Sequence, residues 1–249
     1  MNDKDKVRER KERIQEMFNG IARRYDLLNH LLSGGVDIYW RRRALSQVRR
    51  RPVGKVLDLA TGTGDFALAA ARLQPEGVWG VDVALNMLRL GHDKVVRRQV
   101  NGPPFVPTRL LGGDGERLPF KSDTFDLVTV AFGIRNFGYI PAGLAEAWRV
   151  LRPGGELLVL DFCEPTAPVF RQLYRFYFYR VLPVVGGLIS GNRKAYAYLP
   201  RSVVDFPQGQ AFLDLLEDAG FVDNLATEYT FGISSVYQGC KPEAPTAVD

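Results

Sequence analysis

The sequence predicts an α/β fold: a doubly wound, mostly parallel sheet with helices on both faces. Three observations lead there. Short, near-continuous apolar runs alternate with helical stretches between residues 55 and 162. A glycine-rich turn joins the first run to an alanine-rich helix, in VLDLATGTGDFALAAAR. The runs lack the in-out alternation of a half-exposed sheet, so both of their faces are covered.

In order, KVLDLA (55–60) is the first strand, and DFALAAARL the helix after it. VWGVDV (78–83) is the second strand, followed by a helix from about Ala84 to Arg98. FVPTRLLGGD holds a third strand, weakened by Pro107. FDLVTVAFG (125–133) is rich in β-branched and aromatic residues and is the clearest strand. AGLAEAWRVL (142–151) is a helix stopped by Pro153 and Gly154, and GELLVLDF (155–162) is the fifth strand. Residues 164–209 break the rhythm and are aromatic-rich, which suits an inserted helical flap. QAFLDLLEDAGF (210–221) is a helix closed by Gly220, and VDNLATEYTF and ISSVYQGCK finish the sheet. The expected organisation is an N-terminal helical extension or lid over 1–51, a main domain over 52–241 carrying the flap, and a disordered tail over 242–249.

The 249 residues suffice for one domain with a large core, and 46% hydrophobic with 24% charged is ordinary globular composition. The N-terminus shows no signal-peptide pattern, and the longest apolar stretch, VLPVVGGLI (181–189), is about half of a spanning helix. Two cysteines without a CxxC and two histidines argue against a disulfide framework and a metal site. A cytoplasmic protein is expected. Residues 1–51 carry fourteen Lys/Arg against seven Asp/Glu, and the rest of the chain is slightly acidic. This basicity suits anionic lipid, nucleic acid or simply a solvated helix.

Gly62-Thr63-Gly64-Asp65-Phe66-Ala67 fits the relaxed dinucleotide fingerprint, and Asp82 ends the second strand 20 residues past Gly62, where a carboxylate can accept from ribose hydroxyls. Charge separates the candidate ligands. Asp58 enters the turn and Asp65 leaves it. A diphosphate there would meet like charges, each costing about 3 kcal/mol at roughly 5 Å and an effective dielectric near 20. S-adenosylmethionine, with a sulfonium and an ammonium, gains from the same acids. Asp114-Gly115 follows the third strand, where the carboxylate can accept from an adenine amine and Gly115 leaves room for the ring.

VLDLATGTGD, the acid in GVDV, GDG after the third strand and the RVLRPGG turn together resemble a class I S-adenosylmethionine-dependent methyltransferase. More narrowly, Tyr25-Asp26-Leu27-Leu28-Asn29 with Ser33 and Trp40, and Phe132-Gly133-Ile134-Arg135-Asn136, resemble the ubiquinone/menaquinone biosynthesis C-methyltransferases, over about residues 17–241. The resemblance implies a seven-stranded, Rossmann-like sheet whose last strand is antiparallel. It implies cofactor contacts at Thr63, Asp82, Asp114 and Gly115, and with the turn itself they make a set of Asp58, Gly62, Thr63, Gly64, Asp82, Asp114, Gly115 and Ala131. The family often has a small polar residue where Ala131 stands, so one hydrogen bond is absent here. It usually has a histidine where Asp37 stands.

The implied substrate is an isoprenoid quinol lacking one ring methyl, most often demethylmenaquinol. Its ring carbon becomes nucleophilic when a hydroxyl loses its proton, so the site needs donors for an oxyanion and a path for the proton. Arg135 is expected to stabilise the phenolate, Asn136 to orient a water or ring oxygen, and Tyr25 to close over the cofactor or bond the quinol. Asp37 is a more speculative base. The alternative for Arg135 is a salt bridge to Asp58 or Asp82. Phe170, Tyr174, Phe176, Tyr177, Phe178 and Tyr179, then VLPVVGGLI, are expected to line a slot for the tail, with Tyr196 and Tyr198 capping the ring. Peripheral contact with the inner face of a membrane and a homodimer stay open. An O- or N-methyltransferase and a nicotinamide-dependent oxidoreductase are the rival enzymes, and a nucleic-acid binder is the rival outside catalysis; no nucleic-acid partner is expected.

Overall fold

A computed structural model describes residues 3–49, 51–101, 106–184 and 193–244, apart from the side chains of 3, 4, 6, 24, 27–29, 31, 32, 99–101 and 193–197. The expected disordered tail lies outside the described residues from 245 onward, as does most of VLPVVGGLI. No described helix is long and apolar enough to cross a membrane.

The strands are β1 (Lys55–Leu59), β2 (Gly77–Asp82), β3 (Thr108–Gly112), β4 (Phe125–Ala131), β5 (Leu151–Phe162), β6 (Val222–Tyr229) and β7 (Ser234–Cys240). They form one sheet in the order β3-β2-β1-β4-β5-β7-β6. The first five are parallel, and β7 runs antiparallel between β5 and β6. Period-two packing divides each strand between two cores. Leu57, Leu59, Val128, Val130, Leu157 and Val159 face α5 (Ile140–Val150) and α8 (Gln210–Asp218). Val56, Leu127, Leu158 and Leu160 face α2 (Val36–Leu45) and α3 (Asp65–Ala70). Each fully buried Leu contributes about 2 kcal/mol of transfer free energy, so a one-residue slip that swapped the faces would be strongly resisted.

Two boundaries differ from expectation. The helix α5 meets β5 directly at Val150/Leu151, and Pro153-Gly154 lies inside the strand rather than before it. The pairing with β4 jumps from Phe125↔Leu151 to Leu127↔Glu156, so the residues between form a bulge that takes up proline's missing donor.

The N-terminal extension is one long helix, α1 (Asp3–Leu32), joined to α2 by a short turn. α1 packs beside α4 (Leu85–Asn101), with Ile21 and Ala22 against Ala84 and Met87. In the 164–209 stretch, α6 (Pro168–Phe176) continues as a π-helical turn over Tyr177–Val181, and α7 (Arg193–Val204) lies beyond residues 185–192, which are outside the described residues. Tyr174, Phe178 and Leu182 join the same cluster as Ile21. α1 and the α6 segment thus meet above the carboxyl ends of β1, β4 and β5, the edge where open α/β sheets take their ligands.

Candidate active site

Two cavities open at that edge. The smaller, about 110 Å³, lies over β1, β2 and β4 and is lined by Gly62, Asp82, Asp114, Gly115, Ala131, Asn136 and Phe137, with Lys11, Phe18 and Tyr25 of α1 above. Its acidic lining residues are Asp82, Asp114 and Glu116, and its basic one is Lys11. Gly62, at φ +57, takes the left-handed turn that sends its N–H to the Asp82 carboxylate at 2.8 Å, and the Ala84 N–H reaches the other oxygen at 2.7 Å. Burial pushes the Asp82 carboxyl above its usual range, and these N–H groups pull against it. Asp114 accepts the Glu116 N–H at 2.9 Å and the Lys11 ammonium at 2.7 Å.

The larger cavity, about 480 Å³, runs from this point under the flap and is walled by Phe132, Phe162, Phe170, Tyr174, Tyr177, Phe178, Leu182 and Ile233. Its polar lining includes Ser33, Asp37, Arg41, Arg135, Tyr198 and Thr230. Phe18, Tyr25 and Phe132 line both spaces and so form the partition. Phe132 holds φ +58, a strained conformation for a bulky residue. Its ring packs against Trp40 and Phe162 at centroid distances of 6.2 and 4.6 Å. A guanidinium lies over each ring of the pair, Arg41 over Phe132 and Arg135 over Phe162.

Arg135 is 5% exposed and paired with Asp161 at the end of β5, not with Asp58 or Asp82. It also donates to the Phe132 carbonyl at 2.7 Å and to Ser202 Oγ at 3.3 Å. Burial pushes the Asp161 carboxyl upward, against the pull of that guanidinium. Asn136 Oδ1 accepts from Tyr198 Oη at 3.0 Å, joining the rim of one cavity to the wall of the other. On α2, Asp37 is buried, accepts from Ser33 Oγ at 2.7 Å and from Arg41, and lies 2.9 Å from His30 Nδ1. These hydrogen bonds and charges hold its carboxyl below the usual range although burial, the largest influence, opposes them. Arg41 keeps a buried Nε without a partner among the described residues.

Gly62, Asp82, Asp114, Gly115, Ala131, Asn136 and Tyr25 therefore line the smaller cavity, and Arg135, Tyr198 and again Tyr25 the larger. The side chain of Tyr196 lies outside the described residues. Asp58, Thr63 and Gly64 line neither. Asp58 sits below the turn, where its carboxylate accepts from Thr61 Oγ1 at 2.6 Å and Thr129 Oγ1 at 2.7 Å; burial lifts its pKa to about 6. Thr63 is turned toward the lid and donates to Asp26 at 2.5 Å. Asp65 is answered by Lys94 at 2.6 Å, and the same ammonium holds Asp26 at 2.6 Å. Asp58 and Asp65, the acids bracketing the turn, are thus engaged by hydroxyls and by Lys94, and the acids that line the smaller cavity are Asp82, Asp114 and Glu116, the last two paired with Lys11. Gly115 makes room for Phe137, whose ring would stand 2.8 Å from a Cβ there, rather than for a ligand ring alone. Sequence reasoning missed Asp161, Arg41 and Phe132. An acid inside the apolar run LLVLDF signalled the first, and the i, i+4 spacing of Asp37 and Arg41 the second.

Residues 4–241 match the model of the ubiE/COQ5 methyltransferase family. The ubiquinone/menaquinone biosynthesis C-methyltransferase UbiE of Geobacter sulfurreducens is 47% identical, over 95% of this chain and 91% of that one. The demethylmenaquinone methyltransferase of Thermus thermophilus is 45% identical, over 91% and 100%. Among solved structures, an S-adenosylmethionine-dependent methyltransferase of Thermotoga maritima described as a possible histamine N-methyltransferase superposes with a TM-score of 0.64 at 19% identity, covering 92% of this chain and 99% of its own. The [4+2]-cyclase SpnF superposes with a TM-score of 0.60 at 14% identity, over 93% and 96%, so the fold alone does not fix the reaction.

Proposed function

The chain belongs to the ubiE/COQ5 methyltransferase family, and from that premise we propose that it methylates a ring carbon of a demethylated isoprenoid quinol, demethylmenaquinol first among the candidates, with S-adenosylmethionine as donor. The observation that carries this reading is the pair of cavities meeting at Phe18, Tyr25 and Phe132, one acid-lined and one largely apolar with the two guanidiniums of Arg41 and Arg135 in its wall.

The smaller cavity fits the donor. A carboxylate at the end of β2, three acids against one lysine, and a glycine turn with left-handed φ suit an adenosine carrying a cationic amino acid and oppose a diphosphate. When bound there, S-adenosylmethionine supplies an electrophilic methyl on a sulfonium. Asp82 would accept from the ribose hydroxyls and Asp114 from the adenine amine, with Lys11 closing over the latter.

The remaining chemistry falls to this chain's residues. Carbon methylation needs negative charge on the quinol ring, which a hydroxyl gives by ionising. Arg135, held rigid by Asp161 and the Phe132 carbonyl, stabilises that oxyanion without reorganising. The unpartnered Nε of Arg41 offers a donor to the second ring oxygen, and Asn136 with Tyr198 orients the first. Neither arginine serves as the base; water or the Asp37 carboxylate takes the hydroxyl proton, and once the carbon is methylated the ring C–H proton is lost to restore the aromatic ring while the oxygen is reprotonated, so that one proton leaves overall. The aromatic wall of Phe162, Tyr174, Tyr177 and Phe178 receives the tail and keeps bulk water from the ring. Residues 1–51 act as the lid and 164–209 as the flap of one catalytic domain, which works as a peripheral membrane protein.

The test incubates the protein with S-adenosylmethionine and demethylmenaquinol and analyses the product by mass spectrometry after oxidation. We expect a product one methyl heavier that still oxidises to a quinone. A product that resists oxidation would mark O-methylation and overturn the carbon assignment. Calorimetric binding of NAD in place of S-adenosylmethionine would overturn the donor.

A further inference from the structure

We infer that the outer face of α6 and the π turn seats on an anionic bilayer, so that the larger cavity fills directly from the hydrocarbon phase. This rests on the quinol reading, since only a membrane-borne substrate requires it.

Val169, Leu173 and Phe176 are spaced as one helical stripe and are 77%, 65% and 61% exposed. Tyr179 extends the stripe along the π turn at 47% exposed, and Phe231, 66% exposed, stacks on Phe170 at 4.2 Å. The opposite side of the same helix is Tyr174, continued by Phe178, and walls the cavity. The helix is therefore apolar on two faces, one turned to the cavity and one to solvent. A helix facing only water would be polar on its outer side. Phe170 and Leu173 belong to both surfaces, so the stripe is continuous with the slot.

Charge names the occupant. Residues 164–204 hold six Lys/Arg and one acid, Glu164, a net +5 equal to that of the whole chain. Glu164 is bound by Arg175, while Arg180 and Arg201 stand exposed. A second copy of this face would bring like charges together, whereas an anionic lipid surface neutralises them. Basic residues flanking exposed aromatics are the pattern of interfacial helices.

The experiment uses the full chain and sucrose-loaded vesicles of phosphatidylcholine, with or without an equal part of phosphatidylglycerol, and no quinone. Sedimentation should show binding to the anionic vesicles that weakens with salt. The double variant Val169→Asp/Phe176→Asp, whose side chains line neither cavity, should bind at least about tenfold more weakly. It should keep its circular dichroism, its calorimetric affinity for S-adenosylmethionine and its activity on a short-tailed, water-soluble quinol. A Phe176→Trp variant should be quenched by bromine-labelled lipid beyond the parent. Indifference of the parent to anionic vesicles, equal binding by the double variant, or an unquenched Trp at 176 would overturn the inference. So would a lipid-free dimer that the double variant dissociates. Because no vesicle contains quinone, each of these outcomes is read independently of whether the substrate assignment holds.

Discussion

Asp58 lies wholly inside the protein and is hydrogen-bonded by two hydroxyls, with the Arg41 charge acting on it only through space. Its pKa rises from the unfolded value near 3.9 to about 6, so the folded state holds the proton more tightly. Stability is then highest with the carboxyl protonated and falls as pH rises from about 4 through about 6, by up to ~3 kcal/mol from this group. Asp58→Asn keeps an acceptor for Thr61 and removes the titration. Its stability in urea should gain on the parent's between about pH 4 and about pH 7; an unchanged gap would show that Asp58 does not titrate in that window. Arg135→Lys keeps a positive charge beside Asp161 but loses the planar fork, so kcat should fall about a hundredfold while cofactor affinity stays within about threefold. Arg41→Lys can still pair with Asp37 but loses Nε, and KM for the quinol should rise about tenfold with kcat little changed. At this scale the sequence was only partly legible. The reasoning that a strand acid needs a partner flagged Asp58, and it holds equally for Asp161, whose partner proved to be Arg135. That Lys94 cancels Asp65 depends on packing α4 against the turn 29 residues away in sequence, which no local pattern carries.

At the level of elements, α1 is held down by polar contacts at both ends. Lys11 grips Asp114 and Glu116, and Asp26 binds Thr63 and Lys94. These bonds are partly solvated, so α1 should open more readily than the sheet beneath it. Asp26→Ala should weaken S-adenosylmethionine binding about tenfold and speed amide exchange along α1, leaving β1 and β4 protected. Equal acceleration in the sheet would mean that the helix is part of the core rather than a lid. The strands and most helices were readable because each apolar run was bounded by a turn residue. The bulge in β5 was not, since Pro153-Gly154 serves equally well to end a helix or to kink a strand. The basic character of the flap was masked by its aromatic content, although its charges were present in the sequence.

Across the whole molecule, donor binding should couple to folding because the smaller cavity is built from β1, β2, β4 and α1 together. S-adenosylmethionine at a hundred times its Kd stabilises by about 2.7 kcal/mol, which raises Tm by roughly 5–10 °C for a domain of this size. Differential scanning fluorimetry with NAD as control checks this; a matching shift with NAD would undercut the acid-lined cavity as the selector. Whole-molecule architecture was legible where it follows from alternation, in the parallel half of the sheet. The antiparallel direction of β7 came only through the family resemblance, and its position between β5 and β6 was not foreseen, because nothing local says that a late strand inserts between two others.

That insertion sets the timetable of assembly. All seven residues of β7 are buried, and it pairs with β5 on one side and β6 on the other. Ser234 bonds the Asp161 carbonyl from 73 residues downstream. Until that stretch has been synthesised, the edge of β5 stands open beside the arginine it will later anchor, and a growing chain is exposed there to pairing with the wrong neighbour. Fusions or truncations that delay or delete residues 234–240 should therefore yield aggregates rather than a slower enzyme.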